Sequence, residues 1–548
     1  MKKYLLLIFI SVIFNDRADC QLQGDGCGYV PPSLRNPISA ASLEKLKMTP
    51  SVIKYNLNTD VIFEVYVIGT VSKLSLNIDN KANDFNDSGI NGDKKANDNI
   101  YSLKYPSSAI ISRLKDTDAY RPFLGFVEIY ENGVKTGQYS VFPGIATQEM
   151  PAVNIISKGA GVQSTGRIIN MVGPNGDGLN YATIAKKFYS YYGDNFDFLN
   201  FVHVPGYIGN RYHSSAANIV QGIGLPTFNN ISDYGSKGLL KGINIFPILS
   251  LYDGASTAYS HEIAHQWINF LQNTPFKPGV PHWPSSSTAI GIMGISIGGA
   301  GGAGGNFFKK ITPANGGYTL SNDPEPVGFN PWELYLMGLV PKEDVQNQAL
   351  IFKNQSVYPS DGFYPNSDFT TYNINEMIAS MGQRIPNSIQ SQKKFRIGTI
   401  VLSDELLSQT EMAYIDFMTA RAELTFIVNT GDGFAKIKAK PFFVATDGKG
   451  SLNVNLDNTS FLSDDQSLGR KIITYPVPFD DVLHIKFDRP INNTYSGILT
   501  DLFGHQIKTF TIHQDTESFS LEIPDSKPGV YILTLQDEFH VRSFKLVK

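Results

Sequence analysis

The sequence predicts a multidomain chain with a β-sandwich near the N-terminus, a large mixed α/β unit in the middle and a small β-sandwich at the C-terminus. Three observations carry this. At 548 residues the chain is too long for one ordinary domain, and at about 150 residues per domain it holds three or four. Two stretches, residues 49–148 and 471–548, read as short alternating apolar runs broken by Pro, Gly, Asn and Asp, the pattern of half-buried strands. Between them, over residues 152–450, helical and strand spacings are mixed. Residues 451–470 join the last two modules as a linker.

The first segment, MKKYLLLIFISVIFNDRADC, places Lys2 and Lys3 before an eleven-residue, mainly apolar run from Tyr4 to Phe14. That run is too short to span a bilayer, which takes about 20 residues of helix. Its position and basic flank predict a signal peptide over residues 1–20. No other stretch is long and apolar enough to be transmembrane, so the chain is expected to be exported. The two cysteines, Cys20 and Cys27, supply no disulfide framework and no metal cluster. With 46 Lys+Arg against 50 Asp+Glu, nothing in the net charge of −4 points to nucleic acid.

In the first module SVIKYNL, VIFEVYVIG, KLSLNID, NIYSLKY and GFVEIYENG read as successive strands, with turn residues too frequent for helices of ordinary length. The insert NDFNDSGINGDKKANDNIYSL resembles the acidic loop of bacterial immunoglobulin-like modules, which precedes a strand starting Ile-Tyr. The module is therefore expected to be immunoglobulin-like. Asp93 and Asp98 offer oxygen ligands to a hard cation such as Ca2+; a solvated loop of Asx-turns is the competing reading.

The middle unit opens with NYATIAKKFYSYYG, whose Tyr181, Ile184, Phe188 and Tyr191 recur at helical steps, and continues through the buried-strand sequences DFLNFVHV and GINIFPILSLYD. After the second of these comes Ser260-His261-Glu262-Ile263-Ala264-His265-Gln266-Trp267. Four residues apart on a helix, His261 and His265 project from one face and can hold one Zn2+. Glu262 then reaches a water polarised by that metal and takes its proton, making it the general base of a zinc peptidase. Farther on, IGIMGISIGGAGGAGG over residues 290–305 is too glycine-rich for a rigid element and reads as a mobile rim or a plain linker.

Zinc needs a third protein ligand, and two residues compete for the place. His282 lies in the proline-rich PFKPGVPHWP, and Glu333 opens a helix in FNPWELYLMGL. Glu333 also fits a capping box with Asn330, a structural role that needs no metal. The order of HExxH helix, His282 and the Gly291-Ile292-Met293-Gly294 turn resembles the metzincin peptidases, which implies that Met293 lies in the methionine turn beneath the metal. The compact metzincin spacing is absent, because Ile268 and Leu271 stand where it has glycine and histidine. HEIAHQW is also similar to the aminopeptidase signature, but only over those seven residues. As an ordered set, HEIAHQW, HWPSSS, GIMG and WELYLMGLVPKEDV resemble a group of secreted bacterial zincin-like proteins. All three tryptophans, Trp267, Trp283 and Trp332, adjoin or nearly adjoin a proposed ligand and read as packing around the site.

In the last module, YPVPF, DLFG, PGVYIL and the basic terminal FKLVK together resemble the C-terminal sorting domain of the Bacteroidetes type IX secretion system. The resemblance implies passage across the outer membrane, with the type IX machinery as partner and release or cell-surface attachment as the end point. The fold class expected is an immunoglobulin-like β-sandwich, a central α/β zincin-like metallopeptidase domain and a small β-sandwich sorting domain. The activity expected is that of an exported zinc endopeptidase acting on protein or peptide. The rival is a catalytically inactive zincin-fold surface adhesin or a glycan- or protein-binding module.

Overall fold

A computed structural model describes residues 41–548 apart from 115–118, 148–149, 174–178, 205–210, 247–251, 295–308, 324, 346–347, 357–358, 430–437, 457–471, 477, 488–489, 492–493, 502–504, 525 and 537–540. The signal segment, most of the linker and residues 295–305 of the glycine-rich stretch lie outside the described residues. The chain divides into two compact units, with the boundary after Leu456. No helix among the described residues is long and apolar enough to cross a membrane.

The first unit begins with a β-sandwich. β1 (Ser42–Thr49), β2 (Asp60–Ile68) and β5 (Ile100–Pro106) make one antiparallel sheet; β3 (Lys73–Ile78), β4 (Lys81–Asp84), β6 (Gly125–Glu131) and β7 (Val134–Val141) make the other, in the order β4-β3-β6-β7. Alternation places Val61, Phe63, Val65, Leu76, Val127 and Ile129 in one core between the sheets. The first strand starts at Ser42, ahead of the expected boundary at 49. A short helix, α1 (Ser107–Leu114), also occurs where only strands were expected; it buries Ile110 and Leu114 against the sandwich.

The sandwich docks on the middle of the chain through Ser51 Oγ, which donates to Glu411 Oε1 at 2.6 Å, and Lys45 Nζ, which pairs with Asp404 at 2.8 Å. The middle is built on an eight-stranded sheet. Its path is β8 (Ile156–Gly159), β9 (Val162–Ser164), β10 (Ile168–Val172), β17 (Lys394–Ser403), β11 (Phe198–His203), β13 (Gly242–Phe246) and β12 (Tyr212–Ser215), with β18 (Ser451–Asn453) also on β17. β10, β17, β11 and β13 run parallel, whereas β12 closes the edge antiparallel to β13.

Both faces of this sheet are covered, so its central strands are buried almost throughout. Leu199, Phe201, Ile243 and Ile245 pack with Phe188 of α2 (Tyr181–Tyr191), which is capped by Asn180. Phe198, Val202, Phe246 and Ile397 face the other way. They share a core with α3 (Thr257–Ala264), α4 (Pro331–Met337) and α5 (Gln409–Ala420). A hairpin of β14 (Lys309–Ala314) and β15 (Gly317–Asn322), joined by β16 (Gly362–Pro365), forms a separate small sheet.

The second unit is itself a two-sheet sandwich. β19 (Ile472–Tyr475), β20 (Val482–Phe487) and β23 (Ser518–Glu522) form one sheet; β21 (Tyr495–Asp501), β22 (Gln506–Ile512), β24 (Val530–Gln536) and β25 (Val541–Val547) form the other, in the order β22-β21-β24-β25. Leu483, Ile485 and Phe487 of β20 meet Leu499, Leu533 and Leu535 in one core. Both terminal modules are thus β-sandwiches.

Candidate metal centre

α3 starts at Ser256, whose Oγ accepts from the Tyr259 N–H, and its helical turns end at Ala264 with His265 as C-cap. The helix is short, yet it is long enough to keep His261 and His265 one turn apart. Beyond it the chain turns back, and Asn269 ties the return. Its Nδ2 donates to the His282 carbonyl at 2.9 Å, and its N–H donates to Pro281 O at 3.0 Å. Those two bonds draw the proline-rich segment across the open face of the helix.

His282 Nε2 and His265 Nε2 each lie 3.1 Å from His261 Nε2. Three imidazole nitrogens at about 2.0–2.1 Å from a tetrahedral zinc stand roughly 3.3 Å from one another. The spacing, the edge orientation of the rings and the all-nitrogen donor set therefore fit Zn2+. His261 Nδ1–H donates to the Ile292 carbonyl at 2.9 Å, which leaves the Nε2 lone pair directed at the shared point. Burial depresses the pKa of all three imidazoles, to about 4 for His282, so they are neutral and able to ligate at ordinary pH.

Glu333 does not join them. Its carboxylate is fully buried and already occupied: Oε1 accepts from Trp283 Nε1 at 2.9 Å and from the Met293 N–H at 3.1 Å, and Oε2 accepts from the Asn330 N–H at 2.9 Å. The capping box with Asn330 is complete. The sequence offered Glu333 as the alternative third ligand; the structure instead sets its carboxylate on Trp283, the Met293 turn and its own helix cap. Burial outweighs these donors and pushes its pKa up to about 7.

Met293 is wholly buried in the turn from Gly291 to Gly294, where Gly294 N–H returns to Gly291 O at 3.1 Å. A Cβ at Gly291 would stand 2.2 Å from Glu333 Oε2, so glycine is what lets the carboxylate approach the turn. Glu333 thus holds the turn, and the turn's Ile292 carbonyl holds His261. The three tryptophans are all buried in the same core, as packing around the site requires. Tyr259 and Tyr335, near the motifs in sequence, are core residues too: Tyr259 stacks on Phe246, and the Tyr335 hydroxyl accepts from the Arg384 N–H.

Glu262 is completely buried, and Arg211, just ahead of β12, brings Nε to 2.8 Å from its Oε1. Gln266, next to His265, is fixed to the sheet: its Nε2 donates to Ala217 O, and its Oε1 lies 3.2 Å from His213 Nε2. His213 Nδ1 is bonded to Asn244 Oδ1, and Asn244 Nδ2 donates to Asn200 Oδ1. Arg211, Asn269 and the His213–Asn244–Asn200 row have no motif around them in the sequence. Only the register that sets β13 between β11 and β12 aligns the row.

In the N-terminal sandwich, Asp87 joins Asp93 and Asp98, with ligand atoms within 4.8 Å of one another. Each carboxylate accepts backbone N–H groups of its own loop, as from Gly89 to Asp93 at 2.6 Å and from Asp98 to Asp87 at 3.2 Å. This is how an Asx-turn loop is built without any cation.

Residues 473–548 match the family described as the secretion system C-terminal sorting domain. The chain is a type IX secretion-sorted protein. That module marks export to the cell surface or the extracellular space, and the type IX machinery is the partner it implies. No curated protein matches the chain. Among solved structures, a biofilm-associated protein BSP domain aligns over 95% of this chain and 84% of its own, at 10% identity and a TM-score of 0.14. A score that low carries no argument about fold or function.

Proposed function

We propose that the central unit is a zincin-like domain and the chain an exported zinc-dependent endopeptidase acting on protein or peptide. The observation that carries this reading is the convergence of His261, His265 and His282 beside the buried carboxylate of Glu262. The parallel strand β13 leading into the HExxH helix α3, beside the antiparallel edge strand β12, also favours it.

Zinc held by the three imidazoles would supply a Lewis acid for the substrate carbonyl and make a water acidic at neutral pH. The chain's own residues do the rest. Glu262 takes the proton of the attacking water and later delivers it to the leaving amine. Ile292 O keeps the His261 imidazole oriented, and Asn269 fixes the backbone that carries His282.

Metal analysis and a hydrolysis assay on the purified mature chain test the reading. About one zinc per chain and cleavage of an unstructured protein are expected, with cleavage lost in Glu262→Ala and zinc retained. Substoichiometric zinc together with equal cleavage by wild type and Glu262→Ala would sink the reading, and absence of both would favour the adhesin or binding-module alternative.

A further inference from the structure

The charge on Arg211 is not used by the mechanism above. Its Nε lies 2.8 Å from Glu262 Oε1, and a quarter of its side chain stays in solvent while Glu262 has none exposed. Its position directly before β12 places it on the antiparallel edge of the sheet. One guanidinium at the sheet edge is therefore the counter-charge of the buried general base.

Resting on the peptidase reading, we propose that Arg211 is the positioning residue of the catalytic carboxylate, holding Glu262 in one orientation and balancing its charge until it takes up a proton. A buried carboxylate without a counter-charge is costly, and the ion pair offsets that cost while directing the second oxygen elsewhere. In the addition step the water oxygen bonds to the carbonyl carbon, the π pair moves onto the carbonyl oxygen, and the water proton goes to Glu262. Neutral Glu262 no longer cancels Arg211, so a net positive charge appears beside the site as the oxyanion forms. When the C–N bond breaks, the proton passes to the amine nitrogen and the ion pair is restored.

The test uses the full mature chain carrying Arg211→Ala, Arg211→Gln or Arg211→Lys, read by steady-state hydrolysis and by competition for Zn2+ with a chelator. Arg211→Ala and Arg211→Gln are expected to lower kcat about 100-fold with KM changed less than about threefold. Arg211→Lys should recover about tenfold of the loss by restoring charge without the planar fork. Removing the positive charge paired with Glu262, the residue next to His261, should make Zn2+ bind about three- to tenfold tighter in the neutral variants. A residue that merely supports the fold predicts the opposite, weaker Zn2+ and a lower Tm, and that result overturns the proposal. Wild-type hydrolysis with unchanged kcat in both neutral variants overturns the Arg211 assignment alone; a wild-type chain with neither zinc nor hydrolysis overturns the peptidase reading with it.

Discussion

His282 and Glu333 were the two candidates for one role, and the atoms that each touches separate them. His282 brings Nε2 to the other imidazoles, while Glu333 spends both oxygens on N–H donors. His282→Ala is therefore expected to lose zinc, measured by metal analysis after gel filtration. Glu333→Gln should keep zinc but lose about 1–3 kcal/mol of stability, because its amide would turn a donor toward the Asn330 N–H; denaturant titration reads this. At this scale the sequence was most legible for His261, Glu262 and His265, whose relation is local. It was silent for Arg211 and Asn269, whose partners lie 51 and 13 residues away in the chain.

Among the elements, α4 is capped as its sequence predicts, by the Asn330–Glu333 box, while Ser256 caps α3. What the local signals omitted is how the turn between them is held. Glu333 binds the Met293 N–H, and Ile292 O binds His261, so the cap of one helix orients a histidine on another. Gly291→Ala would place its Cβ 2.2 Å from Glu333 Oε2, forcing the carboxylate out of the turn. The expected result is a loss of about 2–4 kcal/mol and weaker zinc retention, followed by thermal melts and chelator competition. The strand runs of the N-terminal sandwich were legible because period-two alternation shows directly in sequence. α1 was missed because eight residues with two buried apolar side chains leave too short a periodic signal.

For the molecule as a whole, acid sensitivity follows from its buried imidazoles. Burial lowers His203 to about 3 and His213 to about 4, against 6.5 when exposed. Below pH 6.5 the unfolded chain therefore binds more protons than the folded one. The stability that these histidines contribute is complete above 6.5 and lost as pH falls, by about 3 kcal/mol each near pH 4. Glu333, raised to about 7, works the other way: its contribution is present below 4.5 and lost as pH rises through 7. Two histidines against one carboxyl leave a net loss on acidification, so Tm should fall from pH 7 to pH 5 and more steeply below. His213→Gln should flatten that slope. The division after Leu456 gives another expectation: the chain truncated there should still melt cooperatively and bind zinc, yet fail to reach the cell exterior when expressed in its host with residues 1–20 retained, since residues 473–548 carry the sorting module.

Sequence alone determined the modules at the two ends and the two histidines of α3, because alternation, helical spacing and turn chemistry act over a few residues. It also carried the sorting signal, which is a set of short strands and turns in a fixed order. Tertiary structure brought His282 to His261 and His265 and set Glu333 on the Met293 turn, gave Glu262 its partner in Arg211 and joined Gln266 to the sheet through His213. Those relations depend on strand register and on where a chain returns after a turn. A buried charge or polar group finds its partner wherever the packed core brings one within reach, and the distance along the sequence does not record it.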